Sequence, residues 1–246
     1  VADGATLTRC HVGQASSIGH GFSATDSYFG CNCQAEQGEA CAILAGPYTV
    51  THHKSTLLIG GMFSFMNAGS GTNQSNHAYK LGPRHHGVLE RGCKTASGSH
   101  ISWPAHIGAF SLVMGHCAPG TDSSEWPFSY LVEQGSSHYV IPGITLRGVG
   151  TLRDIGKWPA RDGRLPQVPQ TDRVSFEAFS PYTMGRVFRA RITLEELSGR
   201  FDADTQEITW NGLRLKEKSV KQGIEWYRLA LDRYLGEQLI RQLEAH

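Results

Sequence analysis

Between Leu89 and Val113 one kind of residue returns at every sixth position: Leu89, Thr95, Ile101, Ile107, Val113. A small side chain stands two places before each of the last four, at Cys93, Ser99, Ala105 and Ser111. The same beat opens the chain at Thr6, Val12, Ile18 and Ala24, with Cys10 and Ser16 two places before and Gly13 and Gly19 one after. A period of six matches neither a helix stripe nor strand alternation. It fits short parallel strands wound into a solenoid, where stacked aliphatic and stacked small residues fill each corner of the coil.

The beat also predicts where the coil is disturbed. Ile59, Phe65, Gly71, His77, Pro83 and Leu89 keep one phase, but the gap from Ala24 to Ile59 falls one residue short of six repeats. That places an irregularity near Gly46-Pro47. Through 67–87 the aliphatic residues vanish and Asn, Ser, His, Lys and Arg take over, which reads as a polar loop or a distorted coil.

With these repeats the chain resembles the left-handed parallel β-helix proteins, whose hexapeptide motif is an aliphatic residue, often Gly, then four variable positions. The family includes acyltransferases that use acyl-CoA or acyl carriers. The segments Asn73-Gln-Ser-Asn-His-Ala-Tyr-Lys-Leu-Gly-Pro83 and Phe110-Ser-Leu-Val-Met-Gly115 are similar to an uncharacterised group of bacterial hexapeptide-repeat proteins. The left hand of the coil comes from the resemblance, not from the spacing. So does the expectation of a homo-oligomer, a trimer.

Composition narrows the classes. The 246 residues suffice for a solenoid plus a further region. With 23 basic and 22 acidic residues there is no electrostatic case for nucleic acid or an anionic membrane. No apolar run approaches a membrane span, and no secretory apolar segment stands at the start. The first residue is Val1, which leaves room for a longer parent protein. The six cysteines admit a disulfide framework or a zinc site at Cys31-x-Cys33 with Cys41. The favoured reading is free thiols: Cys10 and Cys93 occupy the small inward slot, and Cys-x-Cys lacks zinc-finger spacing. A cytoplasmic location follows as the default.

Residues 1–150 read as the hexapeptide-repeat β-helix, 151–181 as a Pro-rich connector, and 182–246 as a small α-rich C-terminal region. In that region Thr183 to Leu197 forms a helix with Val187, Phe188, Ile192 and Leu197 on its apolar face. Asn211-Gly212 marks a hairpin turn. Ser219 to Glu244 is a long amphipathic helix with a stripe of Ile224, Tyr227, Leu231, Leu235, Leu239 and Leu243, which suits either core packing or a subunit contact.

Twelve histidines crowd this chain, many in the middle of the solenoid. Histidine titrates near neutral pH and can take a proton from a hydroxyl or amine attacking a thioester. The catalytic candidates are His77, His85, His86 and His116. Asn73, Asn76, Lys80, Arg84, Asp122 and Glu125 are the candidates for holding substrate. Arg84 and Lys80 suit a phosphate, a carboxylate or the pyrophosphate of coenzyme A. His116 and the 73–86 segment become neighbours if their coils stack. His100 and His106 share an outward phase, one place before an aliphatic. Zinc held by His with Asp122 or Glu125 is a weaker reading, because adjacent histidines on a strand diverge.

Two functions follow. One is an acyltransferase-like enzyme acting on a sugar, nucleotide sugar or small metabolite, with His as general base, acyl-CoA as co-substrate and no permanently bound cofactor. The other is a non-catalytic β-solenoid, a trimerisation or ligand-binding module of a larger protein.

Overall fold

A computed structural model describes residues 1–78, 82–83 and 86–245. It is mainly β: a three-faced parallel β-helix followed by a helical C-terminal region. The first face stacks the strands Thr6–Thr8, Ser23–Thr25, Gly38–Cys41, Thr56–Ile59, Asn73–Ser75, His100–Ser102 and His116–Cys117. The second stacks His11–Val12, Tyr28–Phe29, Leu44–Ala45, Gly61–Phe63, Gly87–Leu89 and His106–Ile107. The third runs from Ser17–Gly19 to Tyr130–Gln134, where the antiparallel strand Ser137–Ile141 closes the coil.

The inward slot explains the six-residue beat. Leu89, Thr95, Ile101, Ile107 and Val113 are all buried, as are Cys93, Ser99, Ala105 and Ser111 between them. Upstream the phase needs correction. Leu7, not Thr6, stacks under Ala24. Leu58, Phe63, Ala68 and Gln74 fill the inward slots, rather than Ile59, Phe65 and Gly71. Five-residue sides recur between Ala24 and Phe63, so the shortfall is spread over several sides rather than placed at Gly46-Pro47, and one side is over-long. That side holds the exposed corner from His52 to Ser55. Gly46 stays in the stack, its backbone against Ser64. The apparent phase between Ile59 and Leu89 is a coincidence produced by an insertion. Asn73 pairs with His100 across 27 positions, where other coils advance 16 to 18. The surplus leaves the coil as an antiparallel pair, His77–Ala78 against Gly82–Pro83.

Polypeptide corners need sharp turns, and this chain makes many of them with non-glycine residues at positive φ, among them Asn32, Tyr48, Phe65, Phe110 and Phe128. Such a conformation costs an L-residue roughly 1–2 kcal/mol. Stacking offsets it. Tyr48 lies over Phe65 at 4.9 Å and Phe110 over Phe128 at 4.9 Å, the spacing of adjacent strands. In the coil between, the Phe110 ring takes the space a side chain at Gly92 would need, and the Arg91 guanidinium sits 4.3 Å over Phe65. The connector covers this column with Trp158, Phe176 and Phe179. It is pinned by polar contacts: Asp162 to Arg164 and Asn32, and Asp172 to Tyr28 and the Cys31 amide.

The chain turns helical before 150, within the stretch read as β-helix, and stays so into the connector. Helix α1 spans Ile144–Arg147 and α2 spans Val149–Lys157. Helix α3, Pro181–Ser198, starts at Ser180, whose hydroxyl accepts from the Thr183 amide. Its buried face is Met184, Val187, Ala190, Leu194 and Leu197, which fall on one side at 3.6 residues per turn; Phe188 and Ile192, expected on that face, lie about 100–140° round from Val187 and turn outward. Helix α4, Glu217–Glu244, packs on α3, with Gly223 against Leu194, and buries Val220, Tyr227 and Ala230 as well. The Tyr227 hydroxyl donates to the Pro127 carbonyl at 2.6 Å and ties α4 to the last coil. Leu235, Leu239, Ile240 and Leu243 are each at least 55% exposed, so the lower half of the expected stripe has no cover among the described residues. The hairpin turns at Asn211-Gly212, both at positive φ.

All six thiols are free. Burial pushes the Cys33 thiol up to about 12 and Cys117 up to about 11, as expected of small hydrophobes rather than reactive groups. Among the described residues no helix is long and apolar enough to cross a membrane.

Candidate functional site

A solenoid turns sequence offsets of one coil into contacts, so outward residues in register form rows along the axis. On the second face that row is His11, Tyr28, Leu44, Met62, Val88 and His106. The middle of it is apolar. Two cavities of about 720 and 610 Å³ lie along it and share Leu44, Met62 and Val88, forming one groove. At one end His11 and Tyr28 stack at 4.7 Å beside the Arg9–Asp26 ion pair, and His86 borders the same stretch.

The other end carries the chemistry. The cavity there is bounded by His106, Glu90, Arg91 and Ser64 on the β-helix and by Ser180, Tyr182 and Thr183 at the start of α3. His106 Nε2 lies 2.8 Å from Glu90 Oε1. The Tyr182 hydroxyl donates to the same oxygen at 3.3 Å, and Arg186 Nη2 is 3.3 Å from it. The Glu90 side chain is 9% exposed, and its Oε2 has no partner among the described residues. His106 is more open, at 38%. A buried carboxylate can hold an imidazole in one tautomer, leaving the other nitrogen to exchange a proton with a ligand.

The residues nominated from the sequence divide between faces. Asn73, His100 and His116 stand in register on the first face, so the coils do bring Asn73 and His116 to either side of His100. His100 and His116 rings are 5.3 Å apart, and His138 continues the row at 5.8 Å from His116. His116 Nε2 meets Ser102 Oγ at 3.1 Å, and its backbone N–H donates to Glu133. Burial and the neighbouring His116 lower the His100 pKa. Asn76 leads into the extruded pair. The His77 backbone pairs with Pro83, while its side chain, like Lys80, Arg84 and His85, lies outside the described residues. Asp122 caps a turn by accepting from the Ser124 amide. Glu125 pairs with Arg186 and Arg189.

Glu90 and His106 were visible in sequence only as two polar residues one coil apart. Tyr182 and Arg186 carry no signal of proximity, since they arrive from a helix about ninety positions downstream.

A family model described as a domain of unknown function (DUF4954) matches residues 1–198. Both walls of the groove fall inside that span. No curated protein matches the sequence.

Proposed function

The chain belongs to the DUF4954 family, and from the groove on its second face we propose that it is an acyltransferase-like enzyme with His106 as general base. The observation that carries this reading is the 2.8 Å contact between His106 and the buried Glu90 at the end of an apolar groove. Leu44, Met62 and Val88 suit the hydrocarbon part of an acyl group. A hydroxyl or amine acceptor attacks the thioester carbonyl and gives its proton to His106. The tetrahedral intermediate then collapses, and the departing thiolate takes the proton from the imidazolium. Acyl-CoA is the co-substrate class we assign to the donor. His116, held by a serine rather than a carboxylate, ranks behind His106 as a base.

The test is ligand-dependent melting combined with release of free thiol. A panel of short- and medium-chain acyl-CoA thioesters is offered with sugar, nucleotide-sugar and amine acceptors. At roughly 100 times Kd the donor should raise Tm by about 5–10 °C, and thiol should appear when the acceptor is added. Met62→Arg, which puts a cation in the groove floor, should abolish both. No shift and no thiol with any donor would overturn the reading.

One observation favours an assembly role alongside it: the uncovered Leu235, Leu239, Ile240 and Leu243 on α4. We place the contact of a homo-oligomer, a trimer, on that face. Light scattering at micromolar concentration should give a multiple of the 26.9 kDa chain mass. Leu239→Glu should return the monomer. A monomeric wild type would remove this reading.

A further inference from the structure

His106 can act as a base only if Glu90 holds it without locking a proton on it. An imidazole beside an uncompensated buried carboxylate is driven to its charged form, since an opposite charge within ~4–6 Å raises a histidine's pKa by about 1–3 units. A protonated His106 accepts nothing. The fold supplies a counter-charge. Arg186 is 12% exposed and lies 3.3 Å from Glu90 Oε1, on the carboxylate oxygen that also receives His106 and Tyr182. Its own placement is over-determined. Nη2 donates to the Tyr182 hydroxyl at 2.6 Å, Nη1 donates to the Ser124 carbonyl, and the guanidinium stacks 4.9 Å over the Tyr182 ring.

We propose that Arg186, braced by Tyr182, is a positioning residue that fixes the charge and orientation of Glu90 and so keeps His106 free to accept a proton. The assignment makes α3 a working part of the dyad rather than a cover for the coil. The role in catalysis rests on the reading of His106 as a base; the electrostatic claim does not. The other charged groups at this site are Glu125, which shares Arg186 at 3.2 Å, Arg189, which holds Glu125 at 3.0 Å, and Arg91 on the cavity wall. Asp122 pairs with His106 through the backbone from the next coil. Arg186 alone of these cations contacts Glu90 among the described residues.

The experiment is an NMR titration of the His106 imidazole in the full chain, its signal identified by loss in His106→Asn. Arg186→Gln keeps a donor for the Ser124 carbonyl but removes the charge. It should raise the His106 pKa by about one unit, and Arg186→Lys should restore the wild-type value. Arg189→Gln, which leaves Glu90 untouched, should move it by far less. If Arg186→Gln does not fold, Tyr182→Phe at an exposed position gives a smaller rise in the same direction. A His106 titration unchanged or lowered in the folded variants overturns the proposal. Should acyl transfer never be found while the titration moves as stated, the reaction assignment fails and the positioning role stands.

Discussion

Replacing Trp103 by alanine should lower the unfolding free energy by about 3–5 kcal/mol, at the upper end of the range for large-to-small core changes. Trp103 is 1% exposed and fills the interior of the coil from which the extra segment leaves. Its ring occupies space opened by two glycines. A Cβ on Gly87 would stand 2.0 Å from the ring, and one on Gly61 3.2 Å from it. Neither glycine has a side chain that could move into the void, so the site collapses poorly. The indole N–H also donates to the Ile59 carbonyl at 2.5 Å, and that acceptor would be orphaned. Urea unfolding of wild type and Trp103→Ala measures the difference. A loss below about 1 kcal/mol would show that the ring is not the filler of this coil. The mirror-image change, Gly87→Ala, overpacks the same space and belongs in the same series.

His106→Asn should cut acyl-transfer kcat by about 10²–10⁴, the contribution expected of a positioned general base. Asparagine is too short to stand where Nε2 does, but the Tyr182 hydroxyl and Arg186 remain as partners of Glu90 Oε1, and the groove floor is untouched. Donor binding, read as the thermal shift, should therefore stay within about twofold while turnover falls. His100→Asn is the matched control, since it removes an imidazole from the first face. Equal losses in both variants would point to general destabilisation. An active His106→Asn would move the base to another residue.

How much of this was legible depends on what each residue's neighbours are. The clean repeat from Leu89 to Val113 lies in coils whose sides are six residues long, so sequence phase and inward phase coincide there. Upstream, five-residue sides and the long corner at His52–Ser55 shift the phase, and an insertion restored it by chance at Leu89. Helix α3 was legible as a helix from its periodicity. Its buried face was half read: Val187 and Leu197 are buried, but Phe188 and Ile192 are left in solvent and Met184, Ala190 and Leu194, spaced at the helical period, complete the packed side. Stacking foretold that His116 and the 73–86 segment would come near each other, but not the Asn73–His100 register, which spans the insertion. The Glu90–His106–Arg186 cluster needs the docking of a remote helix on a particular face, and no local pattern encodes that.

The aromatic column at the connector corner bears on how the solenoid comes apart. In a simple solenoid each coil touches only its neighbours, and the array can fray from either end, coil by coil. Here Tyr48, Phe65, Arg91, Phe110 and Phe128 form a file under one continuous strap, with Trp158 and Phe176 lying across several coils at once. Peeling any coil in the middle of the file must also lift the strap from its neighbours. Nearest-neighbour coupling becomes coupling over most of the axis. The middle coils and the connector should behave as a single melting block, with fraying confined to coils beyond the strap.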